Sequence, residues 1–112
     1  MGSQRLERVN ELLRTEVGKI IHDEIEFKTH SLITAVRATV SPTLEHATIW
    51  ISVFPKSEEQ DALKKINAKI YHLQQILNKR LSMRPVPKIR FDFDRGEEHA
   101  EKIEKLIENL EK

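Results

Sequence analysis

Between Lys64 and Arg90 the sequence places eight cationic side chains, Lys64, Lys65, Lys69, Lys79, Arg80, Arg84, Lys88 and Arg90, with no Asp or Glu among them. The whole chain is formally only +1, so this density of positive charge is local. Its chemistry is the binding of polyanions, because each phosphate neutralised by Lys or Arg releases condensed counterions. Lys65, Lys69, Lys79, Arg80, Arg84 and Lys88 are the leading candidates for phosphate contacts, joined by Arg37 and Arg90 from predicted strands. If about five phosphates are neutralised, affinity should fall with salt at a log–log slope of roughly −3.5 to −4.5.

Other chemistry finds little support. His22, His30, His46, His72 and His99 show no paired metal-binding spacing, and without cysteine there is no thiolate zinc site. With Gly2, Gly18 and Gly96 as the only glycines, no glycine-rich phosphate cradle can be built. Asp92 and Asp94 share the polar side of a predicted strand, where paired carboxylates can act as acid and base or hold magnesium. Beside Arg90 and Arg95 they are expected instead to form surface ion pairs and cap the last helix. No catalytic constellation, metal or cofactor is expected.

The basic stretch must be held by regular structure. Leu63, Ile66, Ile70, Leu73 and Leu77 recur at helical spacing, so its first part reads as an amphipathic helix opened by a capping box at Ser57-Glu58-Glu59-Gln60. At 100° per residue, Lys65, Lys69, His72 and Lys79 fall within a stripe about 80° wide, bordering the groove where helix meets sheet. Ile76 lies in that stripe and predicts a bend or a change of burial. After Arg84-Pro85-Val86-Pro87, the alternation of Ile89, Phe91 and Phe93 predicts a strand.

Upstream, Ser3 is the expected cap of a helix running to about Ile25, with Leu6, Val9, Leu13, Val17, Ile20 and Ile21 on one face. A β-branched run over 33–41 predicts a strand with Val36, Ala38 and Val40 on one side. A turn at 41–45 leads to a second strand, 46–54, with Ala47, Ile49, Ile51 and Val53 on the apolar face. Such half-polar alternation implies a sheet covered on one side only. Trp50 falls on the open side, where packing against a neighbouring strand is favoured over base stacking. Glu97–Glu111 predicts a last helix, and this end carries six Glu against three Lys.

At 112 residues the chain has room for one core, an α+β domain over 1–95 followed by an acidic helix over 96–112. The absence of cysteine suits a reducing cytosol, and no apolar run approaches the roughly 20 residues of a membrane span. The N-terminus has no signal-peptide apolar region.

Three segments together resemble the ribosome-binding factor A family. They are Arg8-Val9-Asn10-Glu11-Leu12-Leu13-Arg14 through Ile25; Val36-Arg37-Ala38-Thr39-Val40-Ser41 to Leu44 with Ala47 to Phe54; and Leu81 to Asp94, with Arg84, Val86, Pro87, Phe91 and Asp94. The resemblance implies a type II KH-like fold (helix-strand-strand-helix-strand) with a kinked helix pair between the second and third strands. It also implies a cytoplasmic, monomeric, non-enzymatic factor that binds the immature small (30S) ribosomal subunit and its 16S rRNA and assists processing of the rRNA 5′ end. The chain departs from the family in three places. Lys69-Ile70-Tyr71 stands where an Ala-x-Gly kink is usual, Glu26 to His30 replaces an Asp-Pro-Arg loop, and the end is acidic. The residues alone leave two alternatives open, a KH-like protein acting on other RNA and a protein-interaction module using the basic helix.

Overall fold

The structure, a computed structural model, describes residues 2–95. The acidic helix expected over 97–111 lies outside them. Helix α1 spans Gly2–Glu24, strand β1 Leu32–Val40, and strand β2 His46–Phe54. A short 3-10 turn, Lys56–Glu58, leads into α2, Glu59–Ala68, and α3, Ile70–Arg80; β3, Lys88–Phe93, closes the sheet. The strand order is β1-β2-β3, antiparallel between β1 and β2 and parallel between β2 and β3. A parallel pair needs a crossover, and the α2–α3 segment supplies it.

Both helical layers lie on one face of the sheet. From β2, Ala47, Ile49, Ile51 and Val53 point into the core, where they meet Leu13, Val17 and Ile20 of α1, Ile66 of α2, and Leu73 and Leu77 of α3. The opposite face carries His46, Thr48, Trp50 and Ser52 of β2 between Thr39 and Arg37 of β1 and Lys88, Arg90 and Asp92 of β3. No described element covers it. This is the one-sided sheet expected from the alternation in β2, and the order of elements is the type II KH-like fold.

Four local expectations need correction. Ser3 is already inside α1, which has begun by Gly2. No side-chain cap forms at the start of α2: a 3-10 turn takes up Ser57 first, and the Glu58 and Glu59 carboxylates face Lys28 and Arg95 instead. Val36 does not share a face with Ala38 and Val40. A β-bulge between Ala35 and Arg37 resets the alternation, so Ile33 and Ala35 serve the core before it and Ala38 and Val40 after it, leaving Val36 39% exposed. The helix read from the periodicity of 63–77 is two helices, the kinked pair that the resemblance implies. The break falls at Lys69, whose backbone (φ −111°, ψ 11°) leaves the helical region without requiring glycine.

Two side chains tie the layers together. Asn10 Oδ1 accepts the Val40 N–H at 2.7 Å, fixing α1 to the end of β1. Gln74 Oε1 accepts the Ile89 N–H at 2.9 Å while its Nε2 donates to the Pro87 carbonyl at 3.1 Å, docking α3 on the start of β3. In the β1–β2 hairpin, Leu44 adopts a left-handed backbone (φ 63°), and the Ser41 hydroxyl accepts the N–H groups of Glu45 and His46.

Candidate nucleic-acid interface

The fold divides six of the eight candidate cations between two surfaces and leaves Lys79 and Arg84 outside both. On the helical side, the stripe that begins at Lys65 lines the seam between the helix pair and α1, rather than a groove between helix and sheet. Lys69 Nζ donates to the Glu24 carbonyl at 3.0 Å, the His72 ring lies 3.3 Å from the Glu24 carboxylate, and Arg80 approaches Glu16 at 3.5 Å and Asp23 at 3.7 Å. Lys65 pairs with Asp61 at 3.3 Å. A depression of about 470 Å³ here is lined by Asp23, Glu24 and Glu26 as well as Lys65 and Lys69. The acidic end of α1 therefore offsets much of this charge. Ile76 is half-buried and packs on the core, which explains an apolar residue among the cations.

The second surface is the open sheet. Arg37, Arg90 and Lys88 emerge from successive register rows: Lys88 stands opposite His46, Arg90 opposite Thr48 with Thr39 on its far side, and Arg37 opposite Trp50. Their anchors are light. Arg90 Nε donates to Thr48 Oγ1 at 3.0 Å, and its guanidinium is 3.9 Å from Asp92. The Arg37 guanidinium lies over the Trp50 ring, 4.6 Å from its centroid, and 3.7 Å from Asp94. Trp50 donates its indole N–H to Thr39 Oγ1 at 3.0 Å. So Trp50 does pack against the neighbouring strand, with Arg37 as its lid. Exposed pairs at such separations contribute little to stability and exchange readily for another anion.

A trough of about 610 Å³ opens at the hairpin end of this face, lined by Thr39, Ser41, His46, Thr48, Lys88 and Arg90. A smaller groove of about 370 Å³ runs between α3 and β3, lined by Tyr71, Gln74, Asn78, Val86 and again Lys88. Lys88 thus stands at the β3 edge where the two meet. Lys79 is exposed on the outer side of α3; neither it nor Lys88 has an ion-pair partner among the described residues. Arg84 is partly spent on its own loop, donating to the Leu81 and Met83 carbonyls at 2.7 and 2.6 Å.

Two elements of this arrangement escaped sequence reasoning. His46 completes the trough wall, and its strand position opposite Lys88 was knowable only from the parallel register. Arg95 makes a paired hydrogen bond to Glu59 at 2.9 and 3.0 Å and covers Phe93, locking the end of β3 to the start of α2. Asp92 and Asp94 do form ion pairs, Asp92 with the expected Arg90 and Asp94 with Arg37, while the last helix that they were expected to cap lies outside the described residues. Among the described residues no group of three or more His, Asp or Glu could hold a metal ion, and no helix is long and apolar enough to cross a membrane.

Comparison with known proteins gives one consistent match. The sequence model of the family described as Ribosome-binding factor A covers residues 5–107. Ribosome-binding factor A of Thermomicrobium roseum is 30% identical, with 99% of this chain and 87% of that protein aligned. Its counterpart from Synechococcus sp. (strain CC9605) is 34% identical, over 96% of this chain and 79% of that protein. Among solved structures, the crystal structure of ribosome-binding factor A from Thermus thermophilus superposes with a TM-score of 0.71 at 19% identity, covering 81% of this chain and 98% of that one. Thermus thermophilus coordinates fitted into a cryo-EM map of a 30S–RbfA complex give 0.66, over 80% of this chain and 94% of that one. The fold, the helix pair broken between β2 and β3, and a sequence match spanning nearly the whole chain place this protein in the ribosome-binding factor A family.

Proposed function

We propose that the protein is a non-catalytic assembly factor that binds the immature small ribosomal subunit through its 16S rRNA, assists processing of the rRNA 5′ end, and works as a cytoplasmic monomer. The observation that carries this reading is family membership, together with the fitting of a structural neighbour into a 30S–RbfA complex. The cation set supports it. Lys88, Arg90 and Arg37, with Lys79 and Arg84, are the phosphate contacts, and Lys88 receives the backbone as it crosses the β3 edge. Lys65, Lys69 and Arg80 make secondary contacts, because Asp61 and the acidic end of α1 already engage them. Without a Gly-x-x-Gly backbone clamp, positioning by phosphate contacts dominates and base readout is limited.

Sedimentation of the tagged full chain in a cell extract tests this. Enrichment on free small subunits over mature ribosomes, with accumulation of unprocessed 16S precursor when the protein is depleted, is the expected result. Absence from subunits with RNA affinity retained would assign it to another RNA.

A further inference from the structure

We infer that the open face of the sheet takes an unpaired nucleotide, its base stacked on the Arg37–Trp50 pair and its flanking phosphates held by Arg90 and Lys88. The inference rests on the RNA-binding reading above and names the kind of RNA segment that this face accepts. Four features support it. The face is bare among the described elements, and it carries a tryptophan whose ring already holds a guanidinium 4.6 Å from its centroid. A guanidinium over an indole adds a second planar group to the platform, and unpaired bases stack on both aromatic rings and Arg planes. Next to this platform lies the trough of about 610 Å³, whose lining includes Lys88, Arg90, His46, Thr39 and Thr48.

Strand geometry sets the spacing. Arg90 is one strand across and two residues back from Trp50, a diagonal of about 8 Å, so one nucleotide can reach both. No carboxylate lines the trough: Asp92 stands opposite Trp50, Asp94 follows the end of β3, and Glu45 is in the hairpin. Lys88 and Arg90 present their charge at the trough, Arg37 stands on Trp50, and the Arg90–Asp92 and Arg37–Asp94 contacts are long enough to be replaced by phosphate. A duplex hides its base faces and cannot use a platform one side chain wide.

Trp50 is the only tryptophan in the chain, so its fluorescence reports on this face directly. The full chain is titrated at low salt with a single-stranded ten-nucleotide oligouridylate and with a blunt RNA duplex of the same length. Saturable quenching by the single strand and none by the duplex is expected. By anisotropy with labelled oligouridylate, Trp50→Leu and Arg37→Gln should each lower affinity roughly tenfold, the scale of losing one stacked base. Trp50→Phe, which keeps an aromatic ring and guards against misfolding, should retain most of it. Binding of the single strand with Trp50 emission unchanged and no loss in Trp50→Leu, or no binding of the single strand at all, overturns the inference. Co-sedimentation with small subunits, run in parallel, separates the two readings. Subunit binding without Trp50 quenching leaves the proposed function standing and removes this site. Quenching without subunit binding does the reverse.

Discussion

Gln74 shows how much a single side chain can carry. Its amide closes two backbone hydrogen bonds, to the Ile89 N–H and the Pro87 carbonyl, at the point where Lys88 must be aimed. Gln74→Leu keeps the volume and leaves both backbone groups unpaired in a half-buried site, so it should lower stability by about 1–2 kcal/mol in urea unfolding. Val36 makes the opposite case. The sequence pattern places it in the core, but the bulge turns it outward, so Val36→Thr should change stability by less than about 0.5 kcal/mol where Ala38→Asp should not fold. A bulge adds one residue without leaving a mark in composition, which is why alternation misjudged Val36 while reading all of β2 correctly. On α1, hydrogen bonds from Arg14 hold the Glu11 carboxyl below its ordinary value. The small stability this adds is present at neutral pH and is lost as pH falls through the depressed value.

At the scale of elements, α1 lies directly on β1. A Cβ added at Gly18 would meet the Ala35 Cβ at 3.6 Å, an ordinary contact. Gly18→Ala should therefore raise stability by about 0.5–1 kcal/mol, from helix propensity alone, and thermal denaturation would register it as a higher Tm. The existence, order and facing of the elements were legible because periodicity reports which side of a helix or strand is apolar. The break between α2 and α3 was not legible from the residues themselves. Lys69, Ile70 and Tyr71 are all competent helix residues; Ile76 in the cationic stripe hinted at a bend in the wrong place, and only the family resemblance suggested a kink here. The break is stabilised from outside the helix, by the Lys69 ammonium on the Glu24 carbonyl, 45 residues away in sequence. The capping box failed for a related reason, since its carboxylates found partners in distant segments.

At the scale of the whole molecule, a linear count of cations overstates the usable charge. Residues 64–90 read as one basic block, yet Lys69, His72 and Arg80 fold against the acidic residues of α1, while Arg37, distant in sequence, joins Arg90 and Lys88 on the open sheet. Which cations share a surface depends on strand order, and one-dimensional patterning does not contain it. With about three to five cations left for phosphate, binding to small subunits should weaken with salt at a log–log slope of roughly −2 to −4.5, measured by sedimentation across a salt series. The most direct test compares two charge reversals of equal size in the full chain, Lys88→Glu with Arg90→Glu against Lys65→Glu with Lys69→Glu, each assayed by co-sedimentation with purified small subunits. Loss of subunit binding in the first pair, with most of it retained in the second, is the predicted result. Full binding by the first pair and loss in the second would contradict the assignment of the interface to the open sheet.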